Sequence, residues 1–132
     1  MKKTVIRTPK LHERVEKGRI IYSQAIQVEG QRLLFIAGQI ARDPQGNLVG
    51  PGDMRAQMRQ VYRNITAALE ATGATWDNVI RTTTYVTSLD EYLKTLDVRW
   101  EFMKGDPPTS TTVQVARLAQ DAMIEIEAFA VL

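Results

Sequence analysis

Two segments of this chain are predicted to be β-strands with apolar side chains on both faces. Residues 33–37 read Leu-Leu-Phe-Ile-Ala, and Ile124–Val131 is apolar along one whole face and at Phe129 and Val131 on the other. Successive side chains of a strand point to opposite sides of a sheet, so both sides of these strands have to be covered. The fold must therefore provide cover on each face of its sheet.

The pattern along the rest of the chain predicts the element order β-β-β-α-β-α-β-β, which is an α+β fold. Alternating or β-branched runs predict strands at residues 5–7, 20–28, 32–40, 78–87, 111–118 and 122–132. Glu29 and Gly30 predict a turn that joins the second and third strands as a hairpin. No repeat or composition change divides the chain, so we expect one domain over residues 1–132, with residues 1–17 irregular apart from a short strand.

Two amphipathic helices are predicted between the strands. The first follows the N-cap candidate Asp53 and ends before Gly73, with an apolar stripe at helical spacing. The second begins at Ser88 and Glu91, which are spaced as a capping box, and continues to Met103. Two helices cover only one face of the sheet, so we expect other copies of the chain to cover the second face.

Composition removes several kinds of chemistry. The 132 residues include no cysteine and one histidine, His12, which excludes disulfides, thiolate chemistry and a multi-histidine metal site. The net charge is +2 and no basic cluster is present, which argues against a nucleic-acid partner. The longest apolar runs are five residues, too short for a membrane span, so we expect a cytoplasmic protein that does not bind a membrane.

Polar side chains gather on the last two predicted strands. By alternation, Ser110, Thr112 and Gln114 share one face of the first strand, and Glu125 and Glu127 share one face of the second. We assign both sets to the face away from the helices. Carboxylates on such a face have two interpretations: one acts as a general base on water in a cleft, or both face solvent or pair with arginine in a subunit contact.

Several motifs together resemble the reactive-intermediate deaminase family, also called Rid or YjgF-like. They are YSQAI at 22–26, AGQI at 37–40, DPQG at 43–46, RTTTYVTSLDEY at 81–92, PPTSTTVQVARL at 107–118 and IEIEAFAV at 124–131. The resemblance runs in order over about residues 18–132 and implies a chorismate-mutase-like α+β domain. It also implies a homotrimer whose sheets form a central barrel, with a cleft for a small metabolite at each subunit interface.

The resemblance implies an activity and the residues that would carry it. Family members that are deaminases hydrolyse enamine or imine intermediates such as 2-aminoacrylate to 2-keto acids and ammonia, without a metal or an organic cofactor. By resemblance, Tyr22 and Gly38 belong to the ligand cleft, and Glu125 positions the attacking water. Further candidates for the lining of the cleft are Ala37, Trp100 and Gln114.

The chain departs from the family at three cleft positions. Ser110 stands where the deaminases have an arginine that clamps the substrate carboxylate, Thr112 stands in place of a cysteine, and Ala37 in place of a serine. Ser110 and Thr112 remain substrate-binding candidates, but the chain does not match a typical 2-aminoacrylate deaminase. Arg99 and Lys104, near the end of the second predicted helix, are interpreted as partners of its dipole.

Three classes of function stay open at this stage. The first is a cofactor-independent hydrolase of a small enamine, imine or related C–N compound, with Glu125 as the base. The second is a noncatalytic metabolite-binding or regulatory trimer, which the loss of the arginine favours. The third is an RNA-directed role, such as an endoribonuclease or an inhibitor of translation, against which the absence of a basic patch argues.

Overall fold

The computed structural model describes all residues, Met1–Leu132, and its centre is a four-stranded mixed sheet. In chain order the strands are β1 (Lys2–Ile6), β2 (Val15–Glu16), β3 (Arg19–Ile20), β4 (Ala25–Glu29), β5 (Leu33–Gln39), β6 (Val79–Val86), β7 (Thr109–Gln114) and β8 (Ile124–Val131). The central sheet has the order β5-β8-β6-β7, in which β8 runs antiparallel to β5 and β6 while β6 and β7 are parallel. The α+β class predicted from the sequence is confirmed.

Helix α1 (Met54–Glu70) covers one face of this sheet. The Asp53 side chain caps the helix by accepting a hydrogen bond from the Ala56 amide. Most of the predicted apolar stripe of the helix is buried, namely Met54, Met58, Val61, Tyr62, Ile65 and Leu69, and its remaining member, Ala68, is half-buried. It forms one core with the inward residues of β8, which are Ile124, Ile126, Ala128 and Ala130. The alternation predicted for β8 is therefore present, with its isoleucines on the helix side.

The crossover from β6 to β7 contains a shorter helix than the sequence predicts. Helix α2 spans Leu89–Leu93, and a 3-10 helix at Leu96–Glu101 follows it. Thr95 lies at the break, where its hydroxyl donates to the Tyr92 carbonyl and competes with the helical backbone. The prediction of one continuous helix to Met103 is therefore wrong, although Ser88 caps α2 as expected.

The predicted hairpin between β4 and β5 is not formed. Strand β4 pairs instead with β1, as a separate two-stranded ribbon, and β5 keeps one edge without a partner strand. Gly30 packs against the end of β8, since a Cβ at this position would overlap with Val131, and the Leu132 amide donates to the Arg32 carbonyl. These contacts hold the connection between β4 and β5 against the end of β8. The two strands therefore do not pair as a hairpin.

The face of the sheet opposite α1 is open in the single chain. Phe35 on β5 and Phe129 on β8 are paired in register, and their rings meet edge to face at 5.1 Å. Phe35 is 66% exposed and Leu33 is 64% exposed. Large apolar side chains that are exposed together are typical of a surface that binds another molecule. The sequence expectation that one chain covers only one face holds for this structure. None of the helices has the length and hydropathy that a membrane crossing needs.

Candidate functional site

The acidic face is a group of polar side chains on the open side of the central sheet, made of Tyr85 on β6 with Glu125 and Glu127 on β8. Tyr85 lies directly opposite Glu125 in the antiparallel pairing of these strands. All three side chains are half-buried, and neither glutamate forms an ion pair with a basic residue of the same chain. The expected position of both carboxylates away from the helices is confirmed.

Gly38 brings the backbone of β5 against the Glu125 carboxylate. The pairing of β5 with β8 is irregular between Ile36 and Gln39, and Gly38 lies in this irregular stretch. A Cβ on residue 38 would overlap with Glu125 Oε1 and lie 3.0 Å from Glu125 Cδ. Only glycine leaves the carboxylate in its present place, so the structure brings together two of the residues that the resemblance assigned to the cleft. Ala37, which precedes Gly38, is exposed beside them.

Tyr85 belongs to this group and was missed by the sequence reasoning. Its hydroxyl donates to Glu127 Oε1 at 3.3 Å. The negative charge of Glu127 raises the pKa of Tyr85 above its ordinary value, and desolvation and the hydrogen bond act in the same direction. Tyr85 therefore keeps its proton and remains a hydrogen-bond donor on the acidic face. The available signal was its parity in β6, which sets it on the face opposite the buried Thr82 and Thr84.

The arginine cavity lies on the opposite side of the sheet and holds the other predicted binding residues. It has a volume of about 420 Å³ between β7, α2 and the segment before β4, and its polar lining consists of Arg14, Tyr22, Tyr92, Arg99, Ser110, Thr111 and Thr112. Ser110 and Thr112 pair in register with Thr82 and Thr84, whose side chains are buried toward the helices. The assignment of Ser110 and Thr112 to the same face as Glu125 is therefore wrong.

Gln114 also lies on the helix side, for the same reason of register. It pairs with the buried Val86, and its Oε1 accepts a hydrogen bond from the Leu89 amide at the start of α2. This contact makes Gln114 part of the crossover and removes it from the acidic face. Trp100 lies outside the arginine cavity as well: it lines a neighbouring depression of about 240 Å³, and the Arg19 guanidinium lies 4.9 Å from the centre of its ring.

Arg99 is the residue of the cavity that sequence reasoning misinterpreted. The sequence suggested that Arg99 interacts with the dipole at the end of the second predicted helix, yet its side chain is buried, with only 6% exposed. Its guanidinium donates to the Ile21 carbonyl and, at 2.7 Å, to the Tyr92 hydroxyl. Burial of an arginine is unusual, but nothing in a single sequence distinguishes it from the exposed arginines nearby.

Neither region gathers the donor set of a typical protein metal site. The structure brings no three side chains of histidine, cysteine, aspartate or glutamate together in an arrangement that could hold an ion. His12 is exposed in the segment between β1 and β2, and only its backbone carbonyl is used, as an acceptor from the Gln24 side chain. The groups available for chemistry are therefore carboxylates, hydroxyls, guanidiniums and the backbone at Gly38.

Comparison with known proteins finds a large group of relatives in sequence and in structure. The sequence profile described as Endoribonuclease L-PSP matches residues 17–132. A RutC family protein of Pyrococcus horikoshii is 42% identical over 109 residues, which cover 83% of this chain and 85% of that protein. The mouse protein named 2-iminobutanoate/2-iminopropanoate deaminase is 32% identical over 110 residues, covering 83% of this chain and 80% of the relative.

The fold agrees with these relatives. A crystal structure of the Rid family protein YyfB from Yersinia pestis, titled a protein of unknown function, superposes with a TM-score of 0.88 at 33% identity over all of both chains. The chorismate-mutase-like α+β domain implied by the sequence motifs is thereby confirmed. Profile, relatives and fold agree, and the chain belongs to the reactive-intermediate deaminase (Rid) family.

Proposed function

We propose that this protein is a cofactor-independent hydrolase of a small imine or enamine, with Glu125 as the group that activates water. The observation that carries the proposal is the Glu125 carboxylate against Gly38, on an acidic face whose outer side is open. The name of the mouse relative supports the reaction class, since that protein is called an imine deaminase. The substitution at Ser110 separates this chain from the typical 2-aminoacrylate enzymes.

The chemistry needs one well-placed base. Water adds to the carbon of the C=N bond while Glu125 takes a proton from it and passes that proton to the nitrogen, which gives a carbinolamine. Glu125 then takes the proton of the new hydroxyl and delivers it to the nitrogen as the C–N bond breaks, and ammonia leaves. The carbon is left as a ketone, so each turnover consumes one water and releases one ammonia. The backbone at Gly38 would orient the water or the developing oxygen, while the Tyr85 hydroxyl, which donates to Glu127, holds the second carboxylate of the acidic face.

The two halves of the proposed cleft lie on opposite sides of the sheet in one chain. Glu125 points to the open face, while Tyr22, Ser110 and Thr112 line the arginine cavity. A single molecule of ligand cannot touch both sets within one chain. The proposal therefore includes a homotrimer in which the acidic face of one copy closes the arginine cavity of the next. The exposed Leu33 and Phe35 supply the apolar surface for such an assembly.

A second candidate is a noncatalytic trimer that binds a metabolite. It is favoured by one observation, which is that Ser110 replaces the arginine of the family's carboxylate clamp. A serine hydroxyl donates one hydrogen bond and brings no charge, so a carboxylate substrate would be held less firmly at this position. Turnover decides between the two candidates, because both predict the same cleft and the same assembly.

The test measures ammonia and keto-acid release from short imines generated in the assay by an amino-acid oxidase. Wild-type protein should accelerate hydrolysis, and Glu125→Gln should reduce kcat by about a thousandfold, the usual contribution of a general base. Glu29→Gln, an exposed glutamate at the end of β4, is the matched control and should keep full activity.

Sedimentation of each variant shows whether the assembly is intact. A Glu125→Gln protein that is still trimeric and inactive supports the role of the carboxylate. If no imine in the series is hydrolysed faster than in buffer, the binding-protein candidate replaces the hydrolase. If Glu127→Gln loses more activity than Glu125→Gln, the assignment of the base is wrong.

A further inference from the structure

Arg99 is the only charged residue that is buried in this chain, and it has no acidic partner. Its side chain is 6% exposed, and it takes part in none of the ion pairs of the structure. An arginine guanidinium stays charged at any physiological pH, so burial cannot be relieved by loss of a proton. A buried positive charge without a counter-charge is costly, which makes Arg99 a candidate for a group that binds an anion.

The hydrogen bonds of Arg99 are incomplete as well. One terminal nitrogen donates to the Ile21 carbonyl and the other to the Tyr92 hydroxyl, both of which are neutral acceptors. A guanidinium has five N–H donors, so three remain. Among buried side-chain nitrogens and oxygens, Arg99 Nε is the one that has no partner in the structure. Nε is enclosed and has no acceptor, so the chain itself does not complete the hydrogen bonds of this guanidinium.

The surroundings of Arg99 fit an anion. The arginine cavity contains a second cation, Arg14, and the hydroxyls of Tyr22, Ser110 and Thr112, while no acidic side chain lines it. Arg99, Ser110 and the buried Thr82 and Thr84 are among the residues that line a smaller void of about 10 Å³. This void is about the size that one water occupies. The donors of Arg99 and the hydroxyl of Ser110 therefore border the same space.

We infer that Arg99 binds the carboxylate of a small acid in the arginine cavity, taking over the charge that Ser110 does not supply. A carboxylate and a guanidinium form two parallel hydrogen bonds, and Arg99 has three N–H groups that no acceptor of the chain uses. The apolar part of the cavity, which includes Leu89, Leu93 and Leu96, would hold a short hydrocarbon chain. The ligand class is a 2-oxo or 2-imino acid with a small apolar side chain. The choice of this class rests on the proposed function, whereas the anchor is a statement about binding alone.

The first experiment observes the arginine directly in the wild-type protein. Proton–nitrogen NMR spectra of the arginine Nε–H groups are recorded during titration with 2-oxobutanoate and, separately, with the uncharged 2-oxobutanamide. The Arg99 signal should shift with saturation on addition of the acid and stay in place with the amide. A signal that does not move at saturating acid, or a wild-type protein that binds no 2-oxobutanoate at all, overturns the inference.

The second experiment relocates the positive charge within the cavity. Arg99→Gln should weaken binding of 2-oxobutanoate by about 10- to 100-fold, the range of charge-assisted hydrogen bonds. Adding Ser110→Arg to this variant should restore most of the affinity, because the charge returns to the same space. A residue that only braced Ile21 and Tyr92 would not be replaced by an arginine on β7. Unchanged binding by Arg99→Gln contradicts the inference.

Controls separate charge from stability. Arg59→Gln removes a surface arginine that pairs with Glu101, and it should leave binding unchanged. If Arg99→Gln does not fold, Arg99→Lys keeps the charge and loses the forked geometry, so it should bind the acid more weakly than wild type. Loss of binding in Arg14→Gln together with full binding in an Arg99 variant would assign the anchor to Arg14 and refute the inference.

The outcomes for Arg99 and for the hydrolase are distinguishable. If the acid binds in an Arg99-dependent manner but no imine is hydrolysed, the anchor is supported and the hydrolase is refuted. If imines are hydrolysed and Arg99→Gln leaves both KM and the NMR titration unchanged, the hydrolase is supported and the anchor is refuted.

Discussion

The two sides of the central sheet differ in charge and in what covers them. The open side carries Glu125 and Glu127 beside exposed aromatic residues, whereas the helix side carries the buried Arg99 beside hydroxyls in a partly enclosed cavity. The open side also carries Arg81, whose guanidinium donates to Thr111, but its Glu125 is separated from Arg99 by the sheet, and the helix side lacks a base. Strand alternation thus places the proposed base and the proposed anchor on opposite sides within a chain, and the proposed trimer would bring them together.

The strongest test of this comparison mixes two inactive proteins. Copies carrying Glu125→Gln and copies carrying Arg99→Gln are coexpressed with different tags, and mixed trimers are isolated. If each cleft takes its base and its arginine from different copies, about one third of the clefts in the isolated mixed trimers contain both native residues. Activity should therefore rise from the low level of the two parent proteins to about a third of the wild-type value.

The same mixture would fail if both groups acted from one chain. Every chain in it then lacks one of the two residues, and the mixed trimers stay inactive. Coexpression of two differently tagged Glu125→Gln chains is the control for activity that arises from handling alone. Inactive mixed trimers would contradict the composite cleft.

A smaller effect is expected from Gly38→Ala, which disturbs only the open side. The added methyl group would displace the Glu125 carboxylate, since it would overlap with Oε1, and Gly38 does not adopt a left-handed conformation that alanine avoids. We expect kcat to fall about 10- to 100-fold, because a shift of about 1 Å misplaces the base. The Arg99-dependent binding of 2-oxobutanoate should be unchanged. Equal loss of both properties would mean that the two sides are not independent.

The titration of Tyr85 measures the negative charge on the open side. Glu127 raises the pKa of Tyr85 through its charge and its hydrogen bond. In Glu127→Gln the pKa of Tyr85 should therefore move down, toward its ordinary value. Absorbance at the tyrosinate wavelength, recorded against pH for both proteins, checks the direction. Tyr85→Phe identifies the signal, and an upward shift in Glu127→Gln would show that Glu127 does not act as a negative neighbour.

The smallest expected effect is on stability, and it comes from an ion pair that joins the helices on the helix side of the sheet. Arg55 on α1 donates to both carboxylate oxygens of Asp97, at 2.9 and 3.2 Å, and so ties α1 to the 3-10 helix that carries Arg99. Both side chains are more than 40% exposed, so Asp97→Asn should lower the free energy of unfolding by only about 0.5–1 kcal/mol. Denaturant unfolding measures this difference, and Asp90→Asn at the start of α2 is a comparison on the same crossover.

The contribution of Asp97 should depend on pH in one direction. The hydrogen bond from Arg55 lowers the pKa of Asp97 below its ordinary value of 3.8. A carboxylate with a lowered pKa in the folded state stabilises the protein above its unfolded pKa, and this stabilisation is lost as the pH falls through the folded pKa. The difference between wild type and Asp97→Asn should thus be present at neutral pH and vanish in acid. A difference that grows as the pH falls would contradict the assignment.

Local signals predicted the fold better than they predicted the site. Helix α1 and its Asp53 cap follow from residues that are close in sequence, and so does the placement of Glu125 opposite Ile124 and Ile126. The break of the second helix at Thr95 was not predicted, because a threonine is tolerated in many helices and its hydrogen bond to Tyr92 forms only in the folded chain. The partner of β4 was also predicted wrongly, since a turn signal does not specify which strand pairs with which.

By itself, the sequence determined the family, the order of the four central strands and of the two helical regions, and the alternation within the strands, because these depend on residue type and on short spacings. The tertiary structure alone decided which side of the sheet Ser110 and Thr112 occupy, because this side is set by the register of β7 with β6. It also decided that Arg99 is buried, because burial depends on segments distant in the chain, here Ile21 and Tyr92, closing around one side chain.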